Sequence, residues 1–211
     1  GALDACTTGA SNTGVGGECL GAVTTGSTNS ALGVSALQGL TTGSHNVAMG
    51  VQAMQQQTTG SNNTAIGKDA LRYFIGSNNT AVGFDALQGA SGSSTGENNA
   101  AFGYDALKLC TTGARNVVVG SYAGDAVTTG GWNVLIGYEA GTNMTTGNYN
   151  VAVGYQALEM CTTDADNVAV GLRALEKNVQ SNNTAVGRSA AALITTGDYN
   201  TAVGGLALDA M

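Results

Sequence analysis

A short pattern, Asn-x-Ala-x-Gly, returns along the whole chain at nearly constant spacing, and it restricts the fold more than any other feature. The copies begin at Asn12, Asn29, Asn46, Asn63, Asn79, Asn99, Asn116, Asn133, Asn150, Asn167, Asn183 and Asn200. They lie seventeen residues apart, except for sixteen after Asn63 and Asn167 and twenty after Asn79. Counted from its Asn, the unit reads N-[TV]-A-[VI]-G-x-x-A-L-x-x-x-T-T-G-x-x, with Asn at position 1 and Gly at position 5 in all twelve copies. Such a unit is too short for a helical repeat or a propeller blade, and it fits one coil of a β-solenoid. The fold class is therefore all-β, a β-roll of about twelve coils over residues 1–211, one repeat domain.

Positions 2 to 4, as in Thr80-Ala81-Val82, alternate as a three-residue strand does. The large residue at position 4, from Val15 to Val203, is expected to fill the interior, with Ala at position 3 forming a second contact face. The position 5 glycine turns the chain. A second short strand is expected at Ala-Leu, as in Ala36-Leu37 and Ala106-Leu107, and Thr-Thr-Gly makes the return turn. Stacked in register at about 4.8 Å, the asparagines form a ladder whose amides bond one another or the turn backbone. A single coil encloses little and leaves an apolar face bare, which favours a parallel homotrimer with a shared core; a monomeric β-helix is the alternative.

Glycine is 33 of 211 residues without a Gly-X-Y period, and proline is absent, so collagen and polyproline structures are excluded. Only 10% of residues are charged, with a net charge of −7 and seven Lys plus Arg. This argues against nucleic acid and anionic membranes as partners. No apolar run is long enough to span a bilayer, and the chain is expected to be soluble, an excerpt or processed product of a longer one.

The runs at 79–87 (Asn-Thr-Ala-Val-Gly-Phe-Asp-Ala-Leu) and 150–158 (Asn-Val-Ala-Val-Gly-Tyr-Gln-Ala-Leu) are similar to repeats of YadA-like trimeric adhesin heads. They resemble still more closely the repetitive shafts of phage tail fibres. The resemblance spans essentially the whole chain. It implies a left-handed trimeric β-roll, an elongated extracellular or virion-surface appendage, and adhesion or host attachment. The unit here is longer than the adhesin-head unit by the residues around Thr-Thr-Gly.

Candidate chemistry is sparse. The one histidine, His45, lies at position 17 and reads as solvated, and the carboxylates are scattered, so no catalytic residue, cofactor or metal ligand is expected. Asp164 and Asp166 could offer oxygens to calcium, but the rest of a calcium loop is missing, and a variant turn is the better reading. Cys6, Cys110 and Cys161 share position 12 and Cys19 stands at position 8; they read as small buried residues, with a Cys6 to Cys19 bridge as the minority alternative. Trp132 and Tyr149, at position 17 of consecutive coils, and Tyr138 and Tyr155, at position 6, offer an aromatic patch for a cell-surface glycan or receptor. The alternative is that these rings only stack on one another. Asn62, Asn78, Asn143 and Asn182 begin glycosylation acceptor patterns. The stretch 89–96, in the long copy, is expected to bulge as a polar loop. Together these features point to a structural fibre or shaft segment. A self-assembling filament with end-to-end stacking and an ice-binding type of β-solenoid are the other readings.

Overall fold

The computed structural model describes residues 1–90 and 94–209. Twelve three-residue strands follow one another: β1 (Thr13–Val15), β2 (Ser30–Leu32), β3 (Val47–Met49), β4 (Thr64–Ile66), β5 (Thr80–Val82), β6 (Ala100–Phe102), β7 (Val117–Val119), β8 (Val134–Ile136), β9 (Val151–Val153), β10 (Val168–Val170), β11 (Thr184–Val186) and β12 (Thr201–Val203). They form one parallel sheet in chain order, each residue paired with its equivalent one repeat on, as in Ala48↔Ala65 and Ala152↔Ala169. The chain is thus a β-solenoid, in which coil n begins at the nth Asn and carries βn. No helix occurs among the described residues.

The asparagine ladder forms as the repeat predicts. In coil 8 the Asn133 amide Nδ2 donates to the Gly147 carbonyl at 2.8 Å and to Asn116 Oδ1 at 3.1 Å. Its own Oδ1 accepts from the Asn150 backbone N–H at 2.9 Å. Every ladder asparagine from Asn29 to Asn183 is buried, and no buried side-chain polar atom among the described residues lacks a partner.

That ladder sets the facing of the strand and reverses the expectation for positions 3 and 4. Asn must point inward to reach the turn carbonyls, and strand side chains alternate, so position 3 also points inward and positions 2 and 4 outward. Ala65 is fully buried, whereas Val15 is 57% exposed and Leu32, Met49, Ile66 and Phe102 are exposed too. The interior is small because two tight turns, rather than a second strand, close the coil. The expected Ala-Leu strand is absent: positions 7 and 9 take left-handed backbone, as in Ser35 (φ 57°) and Leu37 (φ 51°), and so does position 17, as in His45 (φ 60°). Such conformations strain non-glycine residues and persist only where neighbours over-determine them. Here the stacked coils do so: Ser35 N–H donates to Gly17 O at 2.8 Å and Leu37 N–H to Ala53 O at 3.0 Å.

Gly at position 5 is obligatory. Gly137 has φ +135°, and a Cβ there would lie 2.3 Å from the Gly154 carbonyl of the next coil. The Thr-Thr-Gly turn is held by convergence: Thr24 O accepts from the N–H groups of Thr7, Thr8 and Gly9 and from the Thr7 hydroxyl.

The core is a column of Ala at positions 3 and 8, Leu at position 9 and a variable residue at position 12. Swaps within it are compensated. Coils 7 and 8 carry Val118 and Leu135 at position 3, with Gly124 and Gly141 replacing the usual Leu at position 9; a Cβ on Gly124 would stand 2.6 Å from Leu135 Cδ1. In coil 1, Gly14 replaces Ala where Cys19 is the larger position 8 residue, and a Cβ on Gly14 would meet its Sγ at 2.9 Å. The long coil re-enters register at Ser94, which bridges to Phe74. Of the expected loop at 89–96, residues 91–93 lie outside the described residues.

Candidate interaction surface

The outward side of the sheet presents positions 2 and 4 of all twelve coils, drawn from Val, Ile, Leu, Met, Phe, Ala, Thr and Ser, and none is charged. At the N-terminal end a shallow apolar groove of about 240 Å³ runs between Val15, Leu32 and Met49. Beyond the Gly turn seven coils also expose an apolar or aromatic residue at position 6, namely Val34, Val51, Phe84, Tyr104, Tyr138, Tyr155 and Leu172, while Lys68, Ser121 and Arg188 interrupt that row. Parallel sheets are normally covered on both faces, so a bare twelve-stranded one is an unfinished surface. At strand spacing it runs for about 55 Å, and with its flanking rows it covers on the order of 1,000 Å². That exceeds the apolar patch of an ordinary monomer and matches one side of a stable interface.

The aromatic residues border this surface on two sides. Trp132 and Tyr149, 47% and 53% exposed, precede β8 and β9; Tyr138 and Tyr155 follow them. Trp132 stacks on Tyr149 at 5.2 Å between centroids, and Tyr138 on Tyr155 at 5.5 Å with planes 10° apart. The second row extends back through Tyr122 and Tyr104 to Phe84, and the Lys68 ammonium lies over the Phe84 ring. The Arg115 guanidinium covers Trp132 at 5.1 Å. The four rings therefore form two separate stacked pairs with a strand between them.

The opposite flank is polar. Lys108 Nζ bridges Asp85 at 3.0 Å and Asp105 at 3.2 Å; burial pulls its pKa down, but these bonds leave it raised overall. Burial pushes the Asp125 carboxyl up, against a 2.7 Å hydrogen bond from the Thr142 hydroxyl. Asp164 takes the place of the turn glycine, its carbonyl accepting from Asn150 Nδ2 at 2.9 Å, and Asp166 occupies position 17 with φ 59°. No group of three or more His, Cys, Asp or Glu that could hold a metal occurs among the described residues. No helix there is long and apolar enough to cross a membrane.

The residue just before each ladder Asn, here His45 and the acceptor-pattern residues Asn62 and Asn78, lies at the edge of the outer face, where Asn62 Nδ2 donates to Asn78 Oδ1 at 3.2 Å. All four cysteines are free thiols, so Cys6 and Cys19 form no bridge. Cys19, Cys110 and Cys161 are buried as expected, whereas Cys6 is exposed. Burial pushes the Cys110 thiol up to about 12, and Cys161 likewise.

Hydrophobic rank alone places Val and Ile inside and so hides the outward row at positions 2 and 4. The signal that could have found it is parity with the Asn ladder. No family model, curated protein or solved structure matches the chain.

Proposed function

We propose that this chain is a rigid shaft segment of an extracellular appendage, such as a tail fibre or a surface adhesin, in which three parallel copies pack their strand faces around a common axis. The observation that carries this reading is the uncharged outer face, which presents an apolar side chain at position 4 in all twelve coils. Its likeness from coil to coil favours a second copy of the same chain as occupant, because identical rows meet identical rows along the full length. The apolar surface turns past the position 5 glycine onto position 6, so each chain has two adjoining surfaces to offer. A subunit of a cyclic trimer needs two such surfaces, whereas a two-fold dimer needs one. The resemblance of the repeat to trimeric adhesin heads and fibre shafts supports the same arrangement.

Light scattering on the purified chain tests it. The expected mass is three times 20.8 kDa, and a mass of 20.8 kDa overturns the shared-face reading. Under this proposal the position 6 ring row is covered by the neighbouring copy, and the Trp132–Tyr149 pair at position 17 stands at the rim of the assembly, where it would be available to a glycan or receptor.

A further inference from the structure

The polar flank carries one groove whose origin lies in a defect of the repeat. In the regular coils the Thr at position 13 donates its hydroxyl to the carbonyl of the next coil's Thr, as Thr24 does to Thr41 O at 3.1 Å and Thr41 to Thr58 O at 3.0 Å. The ladder stops at Thr58. Coil 4 is one residue short and carries Tyr73-Phe74-Ile75-Gly76 there, so among the described residues the Thr58 hydroxyl makes no hydrogen bond. The neighbouring Gln56 amide, also exposed, makes none either. Gly39, one coil earlier, lowers the floor, and the result is a groove of about 620 Å³ with half-buried Ile75 at one side.

The remaining polar groups are fixed in advance. Gln38 Nε2 donates to Glu18 Oε2 at 2.8 Å, Gln55 Nε2 to Gln38 Oε1 at 3.0 Å and Arg72 Nε to Gln55 Oε1 at 3.1 Å. Arg72 also pairs with Asp69 at 3.2 Å and lies over the Tyr73 ring. Arg72, the only cation lining the groove among the described residues, is thus already neutralised, which disfavours an anionic ligand. What is unspent is one amide, one hydroxyl and an apolar side chain, a set that suits hydroxyls and the C–H face of a sugar ring.

We propose that this groove binds an uncharged oligosaccharide, with Gln56 and Thr58 bonding its hydroxyls and Ile75 against its apolar face. The proposal does not depend on how many chains form the rod, because the groove lies on positions 10 to 13, away from the outer strand face.

The test is a panel of maltose-, cello- and chito-oligosaccharides, with sialylated and sulfated oligosaccharides beside them, followed by calorimetric titration of the best binder. Gln56→Ala and Thr58→Ala alter exposed side chains without partners, so circular dichroism of the double variant should match the parent. Its affinity should fall at least about fivefold for each hydrogen bond lost. Trp132→Ala with Tyr149→Ala should leave that affinity unchanged. Binding lost in the aromatic variant and kept in the groove variant overturns the proposal. So does a preference for the anionic sugars, or no binding across the panel.

Discussion

Coils 7 and 8 depart from their neighbours on the inward side of the strand and agree with them on the outward side. Inside, Val118 and Leu135 replace Ala and require Gly124 and Gly141 opposite. Outside, Val117, Val119, Val134 and Ile136 continue rows that elsewhere hold Thr, Leu, Met or Phe with no compensating change. The inner column is close-packed, so one side chain is enlarged only where another is removed. The outer face has open space above each residue. It keeps polarity and loses shape, as a surface awaiting partners in register can, while the interior keeps volume coil by coil.

The inward side should break hardest at the ladder. Asn133→Ala removes the donor to the Gly147 carbonyl and the acceptor of the Asn150 N–H, both buried. Each orphaned group costs about 1–3 kcal/mol, so a loss of about 4 kcal/mol is expected in urea denaturation followed by circular dichroism. A loss below about 1 kcal/mol would show that water replaces the amide.

The volume exchange in coil 8 comes next. Leu135→Ala opposite Gly141 leaves a void, at a cost of about 2–4 kcal/mol. Gly141→Leu alone overfills the same space, at about 1–3 kcal/mol. The double variant refills the space over Gly141 but leaves that over Gly124 empty, so it should recover part of the loss, giving a coupling of about 1–3 kcal/mol. Additive losses would mean that the two sites do not share one space.

On the outer side the same strand should behave oppositely. Ile136→Asp puts a charge on the exposed row, so the coil itself should be nearly unaffected, within about 0.5 kcal/mol, and its β signal kept. Under the proposed three-chain packing, the mass by light scattering should drop from three chains to one. A trimeric Ile136→Asp variant would place the shared surface elsewhere on the rod.

Much of this was legible before the structure. The period, the asparagine ladder and the glycine turn all follow from invariant positions whose chemistry has one use. The facing of the strand was readable too, but the hydrophobic rank of Val over Ala pointed the wrong way, and only the link between Asn133 and residue 135 through strand alternation corrects it. The turns at positions 7 and 9 left no signal. Leu37 and Gln52 are not residues that seek left-handed backbone, and they hold it because adjacent coils bond their N–H groups. The groove at Gln56 and Thr58 was marked by the sixteen-residue spacing after Asn63, which says that a coil is short but not which ladder it interrupts.

The last contrast concerns the cysteines, which sample the interior without altering it. Cys110 and Cys161 hold their protons to about 12 when folded, against 9.0 for an unburied thiol. A thiol whose pKa is raised by folding adds nothing to the pH dependence below the unfolded value, and its stabilisation is lost as the pH rises toward the folded one. Stability should therefore be flat up to about pH 9 and then fall, by about 1.4 kcal/mol per pH unit for each buried thiol. Melting curves at pH 8 and pH 10.5 measure the drop, and replacing both cysteines by alanine removes that part of it which Cys19, Lys108 and the tyrosines do not cause. At pH 8 the exposed Cys6 should alkylate with iodoacetamide in the folded protein while Cys110 and Cys161 stay unmodified until denaturant is added. Fast labelling of Cys110 in the folded state would mean that coil 6 opens to solvent, and the contrast between a closed inner column and an open outer face would fail at that point.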